Sequence, residues 1–268
     1  MERDVSTLAP PLAPLGVLAA ARQQILVIGS APHKIMLAFI VLGILQLFTA
    51  VNMRIDVPQF HAAVSGLLLV YFLSLVGAQI WAASIWHGES PSQRGYHWAM
   101  PVDRTLHDLL RVVAGAIWLT VVLLALLVIG TLIAPLFGAA RSTTGLLDPL
   151  LLGFISGPLI VYFFCSVPGL RSDHPGRWIL AAPICLLMVW GFATWWGLDP
   201  LSELMRALLI GKFGLFRTIG MPLVYPVIQV VEGAGEMETL FSWLGASAAW
   251  LTVAIAGVYL AASRRQGG

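Results

Sequence analysis

The stretch that decides the fold runs from Val112 to Ala140, VVAGAIWLTVVLLALLVIGTLIAPLFGAA, flanked by Arg111 and Arg141. It holds no Asp, Glu, Lys, Arg or His. About 20 apolar residues suffice to carry a helix across ~30 Å of hydrocarbon, at 1.5 Å per residue, so this run is long enough to span a bilayer. It is continuously apolar, whereas the strands of a closed barrel alternate. Five more runs share its character: Ile35 to Met53, Gln59 to Gly88 with a lipid-facing part from His61 to Trp86, Pro149 to Leu170, Trp178 to Leu198, and Thr239 to Ser263. Six spans follow, numbered in chain order with Val112 to Ala140 as the third. The fold class is all-α, a polytopic membrane protein with six transmembrane helices.

Composition agrees. Of 268 residues, 59% are hydrophobic and only 10% charged, and the mean hydropathy is +0.88. So few charges cannot solvate a globular surface of this size, which excludes a water-soluble enzyme. A net charge of +2 is too small to point to nucleic acid, and its meaning lies in how the charges distribute about the bilayer. Cys165 and Cys185 both fall in apolar runs, which reads as small buried side chains rather than a disulfide framework or a zinc site.

Residues 1–33 form a cytoplasmic lead. Val5 to Ala21 mimics a signal peptide, but the preceding Met-Glu-Arg-Asp is not net positive and Pro10, Pro11 and Pro14 interrupt the apolar core. Leu15 to Gly29 reads instead as an interfacial helix, with Arg22, Gln23 and Gln24 making a polar side among Leu18, Ile25, Leu26 and Ile28. With the N-terminus inside, Arg3, Arg22, Lys34, Arg94, Arg104, Arg111, Arg171, Arg177, Arg264 and Arg265 lie on the inner side, and Arg54, Arg141, Arg206, Lys212 and Arg217 on the outer. Basic residues concentrate on the cytoplasmic side, so both termini are expected inside a plasma or inner membrane, with 34–263 as the transmembrane domain and 264–268 as a tail. Trp86 and Trp178 then mark the inner interface and Trp195, Trp196 and Trp243 the outer one.

The connection from Asp199 to Glu238 stands apart. Asp199 as N-cap and Pro200 at the first helical position open a helix to about Phe216. The apolar stretch Thr218 to Val231, too short to cross and carrying Pro222 and Pro226, then suits a re-entrant or interfacial hairpin on the outer side. Asp148-Pro149 opens the fourth span in the same way.

Several chemistries lack their residues. No G-x-x-x-x-G-K-[ST] occurs, and Gly211-Lys212 has neither the upstream glycine nor the following hydroxyl. Ser156, in Gly153-Phe-Ile-Ser-Gly157, has no histidine or acid at membrane depth and reads as a packing residue, and no H-E-x-x-H occurs. The span interiors carry no Asp, Glu, Lys or Arg, which disfavours proton-coupled transport, voltage sensing and charged-ring channels. Polar Gln46, Ser74 and Gln79 remain available there. His87, His97 and His107 recur at intervals without ligand logic and read as solvated loop residues rather than a metal site.

One polar constellation is dense. Between spans two and three, Glu89, Arg94, Asp103, Arg104, Asp108 and Arg111 gather near Tyr96 and Trp98. Interleaved basic and aromatic residues suit a protein-binding anchor; the lesser alternative is an amphipathic stretch lying on headgroups with Trp98 dipping in. The order of residues here resembles the permease subunits of type-2 ATP-binding cassette exporters: an acidic residue ending span two (Glu89), a short helical stretch (Ser90 to Met100), then Pro101-Val102-Asp103-Arg104 and a further basic residue, Arg111. The architecture is similar too, from the interfacial lead to the outer hairpin between spans five and six. Pro91 departs from the pattern, so a coupling helix would begin only after it.

That resemblance implies that residues 87–108 form a coupling loop docking on a separate ATPase through Glu89, Ser90, Arg94, Tyr96, Trp98, Pro101 and Arg104. It implies two ATPase copies, which would hold ATP and Mg, and a second permease, most simply another copy of this chain. No cofactor and no catalytic or metal-binding residue is then expected on this chain, which would be a transport subunit and no enzyme. Spans without charge favour a lipidic, amphiphilic or hydrophobic cargo moved by alternating access, with lipids as the surrounding partners. The rival reading is a non-transporting membrane scaffold or regulatory subunit, with the same loop as its docking site.

Overall fold

The computed structural model describes residues 19–22, 24–26, 28, 41, 59–87, 104–136, 149–171, 175–211, 213–220 and 236–264. Six helices carry the fold: α1 (Gln59–His87), α2 (Arg104–Leu136), α3 (Pro149–Arg171), α4 (Pro175–Trp195), α5 (Asp199–Leu209) and α6 (Glu236–Arg264). Among the described residues there is no strand. The expected first span, Ile35 to Met53, lies outside them. α2 begins at Arg104, two turns before the apolar run, because Arg104 to Arg111 continues the helix in sequence good for it, with leucines at 106, 109 and 110.

Four helical stretches among the described residues are long and apolar enough to cross a membrane: Thr105–Val128, Leu152–Arg171, Arg177–Trp195 and Phe241–Arg264. α1 contributes the shorter described apolar stretch Tyr71–Ile85. The described residues thus form an all-helical fold, and four of its helices are long and apolar enough to fit a transmembrane protein.

α3 is the hub, packing against α1, α2, α4 and α6. It holds its place with Pro158 and Pro168 inside it. A proline leaves the carbonyl four residues earlier without its helical donor, which packed membrane helices tolerate because neighbours take up the freed group. The core fills the space between α3 and its neighbours: Tyr71, Trp81 and Ile85 of α1, Val112 and Leu123 of α2, Ile160, Tyr162 and Leu170 of α3. α6 meets it through Ala254, Val258, Ala261 and Ala262, all buried, and small residues let helix backbones approach closely. α4 is peripheral, with Ile184, Leu187, Met188, Phe192 and Trp195 exposed along its length. An exposed face this apolar suits contact with lipid or another membrane helix rather than water.

Two expectations need correction here. Cys185 is exposed on α4 rather than buried, while Cys165 is partly buried. Both follow from position, since α4 lies at the rim and α3 at the hub. Trp243, expected in an outer aromatic belt, is 4% exposed because its indole turns inward to a backbone partner.

Candidate functional site

The candidate site is a pair of structures that both meet α1: the root of the connection between α1 and α2, at its last described turn, and the turn that follows α5, at its middle.

At the root, the Ile85 carbonyl lies in the last described turn of α1. The Arg111 guanidinium donates to it through Nη2. A cation there also opposes the partial negative charge at a helix C-terminus. Arg111 is only 9% exposed, so the contact is made inside the bundle. One residue on, the Val112 carbonyl accepts from Tyr162 Oη at 2.8 Å, and a turn later the Gly115 carbonyl accepts from Trp81 Nε1 at 3.1 Å. Gly115 permits this junction: a Cβ there would run into Ile85 Cδ1 and the Tyr162 hydroxyl. Three helices are therefore tied at one level by donors aimed at backbone oxygens.

The N-terminal lead joins the same place. Residues 19–22 and 24–26 are helical. Gln24 Nε2 lies 2.8 Å from His107 Nε2, and Trp118 Nε1 donates to the Ile25 carbonyl at 2.8 Å. Ile28 is buried in the core and Ile25 packs against it. His107, expected as a solvated loop residue, is instead within α2, beside Asp108 at 3.8 Å and bound to the lead. The sequence missed this because it placed the start of α2 after His107.

Of the residues singled out in the loop, Glu89, Ser90, Arg94, Tyr96, Trp98 and Pro101 lie outside the described residues. Arg104 opens α2.

In the second structure, α4 closes with Gly197 at φ 64°, a left-handed position that glycine adopts without penalty. The Leu198 amide returns to the Ala193 carbonyl at 2.9 Å and that of Gly197 to Thr194 at 3.4 Å, the double closure of a Schellman turn. This turn leaves Leu198, not Asp199, at the N-cap of α5, and no side chain caps it. Asp199 sits in the first turn instead, where its charge still favours the helix dipole. The helix expected to reach Phe216 ends at Leu209. Gly214 N–H then bonds the Gly211 carbonyl at 2.7 Å, and residues 215–220 are helical again. Both glycines are required by close approach: a Cβ on Gly211 would lie 2.5 Å from the Ala207 carbonyl oxygen, and one on Gly214 2.6 Å from the Leu209 carbonyl.

The returning segment is held by aromatic donors. Trp250 Nε1 donates to the Phe213 carbonyl at 2.8 Å and Trp243 Nε1 to the Thr218 carbonyl at 3.0 Å. Tyr71 Oη donates to the Ile219 carbonyl. Since Phe213 pairs with the later tryptophan and Thr218 with the earlier one, residues 213–218 run antiparallel to α6. Tyr71 packs on Phe154, ring centroids 6.0 Å apart, and its hydroxyl lies where a Cβ on Gly157 would be. Ser247 lies between the two tryptophans on the same α6 face, and its Oγ is buried with no hydrogen-bond partner among the described residues. These donors were missed in sequence, although Trp243 and Trp250 stand seven residues apart, two turns of one helical face.

Among the described residues no group of three His, Cys, Asp or Glu is placed to hold a metal. A shallow cleft between Trp81 of α1 and Leu119 and Leu126 of α2 is apolar but for Ser74, whose hydroxyl is already bonded to the Tyr71 carbonyl at 2.6 Å. It offers packing and no chemistry. No family model matches the chain, and no curated protein or solved structure does either. The fold and site define a class in physical terms: a helical protein suited to a membrane, clamped at the root of one connection and folded back on itself in another.

Proposed function

We propose that this chain is the membrane-spanning permease of an ATP-driven exporter of the type-2 ATP-binding cassette class, with six spans and both termini inside. The observation that carries this reading is the clamped root of the connection between α1 and α2. Arg111, a residue the resemblance singled out, ties the end of α1 to the start of α2, and the lead docks on α2 beside it through Gln24 and Ile25. A force applied to the intervening loop therefore reaches two helices and the lead together. A loop that merely covers headgroups gains nothing from such a root.

The outer geometry supports the architecture of this reading. α6 runs from outside to inside, so the antiparallel segment 213–218 rises outward from Phe213. Trp250 lies seven residues beyond Trp243, about 10 Å deeper at 1.5 Å per residue. α5 would then descend into the membrane, turn at Gly211 and Gly214, and return, a re-entrant hairpin. Irregular backbone at that depth is tolerated only where protein or a polar cavity receives its polar groups, and the carbonyls of Phe213, Thr218 and Ile219 do have donors.

In operation, ATP binding closes two partner ATPase subunits, which hold the nucleotide and Mg, and moves the connection 88–103, the expected coupling loop 87–108 being shortened because residues 104–108 belong to α2. The shift passes into α1 and α2 against a second permease. A lipidic, amphiphilic or hydrophobic cargo fits spans without charge. Glu89, Ser90, Arg94, Tyr96, Trp98, Pro101 and Arg104 are proposed to contact the ATPase.

The test is co-expression with an ATPase encoded beside the gene. Arg94→Glu and Trp98→Ala should insert, keep their melting temperature in detergent and lose the ATPase on purification, since a charge-assisted contact contributes about 1.5–3 kcal/mol. Retention of the ATPase and of transport by both variants would remove the coupling role and favour the scaffold.

A further inference from the structure

The three donors that hold segment 213–219 do not come from one place. Trp243 and Trp250 both belong to α6, while Tyr71 belongs to α1. α1 continues unbroken from Tyr71 to Ile85, whose carbonyl Arg111 grips at the root of loop 88–103. The step of 14 residues from one to the other spans about 21 Å of helix. One helix is thus held by a backbone-carbonyl contact at its middle and by another in its last described turn.

We infer that Tyr71 is a releasable latch on segment 213–219, and that Trp243 and Trp250 are its hinge. A displacement of the phenol away from Ile219 by about 1.5 Å, the rise of one helical residue, stretches an ordinary hydrogen bond of ~2.8 Å beyond the range in which it holds. The two indole contacts do not depend on α1, because both donors belong to α6. The phenol is seated over the bare backbone of Gly157, with the Phe154 ring tilted against it. Breaking the Tyr71 contact uncovers the Ile219 carbonyl and frees the end of the segment farthest from Phe213, so it opens at Ile219 first. That the trigger is movement of loop 88–103 rests on the permease reading, whereas the latch itself does not.

The test uses the full chain in proteoliposomes, with Cys165→Ala and Cys185→Ala as background and Ile219→Cys as reporter. A membrane-impermeant maleimide added outside reads the opening rate. Tyr71→Phe removes only the hydroxyl and should raise labelling of the reporter about tenfold, the equilibrium shift that corresponds to one net hydrogen bond. Leu198→Cys, on the exposed turn after α4, should label at an unchanged rate. Gly157→Ala should reproduce the effect by a different route, since its methyl takes the place of the hydroxyl; if it does not fold, Tyr71→Phe decides alone. Labelling of the reporter within twofold of the parent in Tyr71→Phe, or an equal rise at Leu198→Cys, overturns the latch. With the ATPase bound, a non-hydrolysable nucleotide should raise reporter labelling in the parent and not further in Tyr71→Phe. No nucleotide response with the Tyr71→Phe effect intact would refute the permease trigger and leave the latch standing.

Discussion

Arg111→Leu is the perturbation whose size the structure sets most directly. The side chain donates to the Ile85 carbonyl in the last turn of α1 and is 9% exposed. A hydrogen bond from a charged donor contributes about 1.5–3 kcal/mol, and a cation at a partly buried helix C-terminus adds up to about 2 kcal/mol. These overlap, since both describe the same charge near the same carbonyl, so a loss of about 2–3 kcal/mol is expected. For a chain of this length each kcal/mol lowers the melting temperature by roughly 2–4 °C, giving a fall of about 4–12 °C in detergent. Leucine keeps the apolar packing of the stem, so cavity formation adds little. Arg111→Lys keeps a charge but not the planar fork, and should recover about half the loss. Nanoscale differential scanning fluorimetry on purified protein reads the effect, aided by the buried Trp81 one turn from Ile85. Arg111→Leu melting within about 1 °C of the parent would show that Arg111 does not cap α1, and would take the clamped root with it.

Gly115→Ala should destabilise by about 1–3 kcal/mol through overpacking, because its methyl meets Ile85 and Tyr162; Ile85→Val in the same chain should restore part of the loss in the same melting assay. Topology is checked by single cysteines: those at Ser92 and Ser172 should label only once the inner face is opened, and one at Ser142 from outside. Labelling of Ser92→Cys from outside would remove the coupling assignment.

Helix existence and extent were legible because hydrophobic runs report burial in lipid directly. α1, α3 and α6 begin and end within a few residues of the apolar runs that announce them. What was not legible is which side chain meets which carbonyl. Asp199-Pro200 promised a cap by local pattern, yet the Gly197 turn delivered Leu198 to that position. Trp243 reads as a belt residue because indoles favour interfaces, and only its neighbour across space, Thr218, makes it a donor to the interior. Arg111 was legible as a charge near a span and not as a cap, since the end of α1 it serves is 26 residues away.

These failures share a cause that bears on function. In a bundle with few charges to spare, helices are tied by neutral and cationic donors aimed at backbone carbonyls. Arg111 to Ile85, Trp250 to Phe213, Trp243 to Thr218 and Tyr71 to Ile219 all follow that rule. Such contacts are short-ranged and individually modest, so a small helix displacement can exchange one without unfolding the rest. The acceptors Ile85, Phe213, Thr218 and Ile219 lie in the last described turn of α1 and in the short segment after α5, and such ends and turns are the places where a membrane protein that changes shape needs contacts it can release. The arrangement puts one such place beside the proposed ATPase loop and the other at the proposed outer hairpin, with α1 touching both.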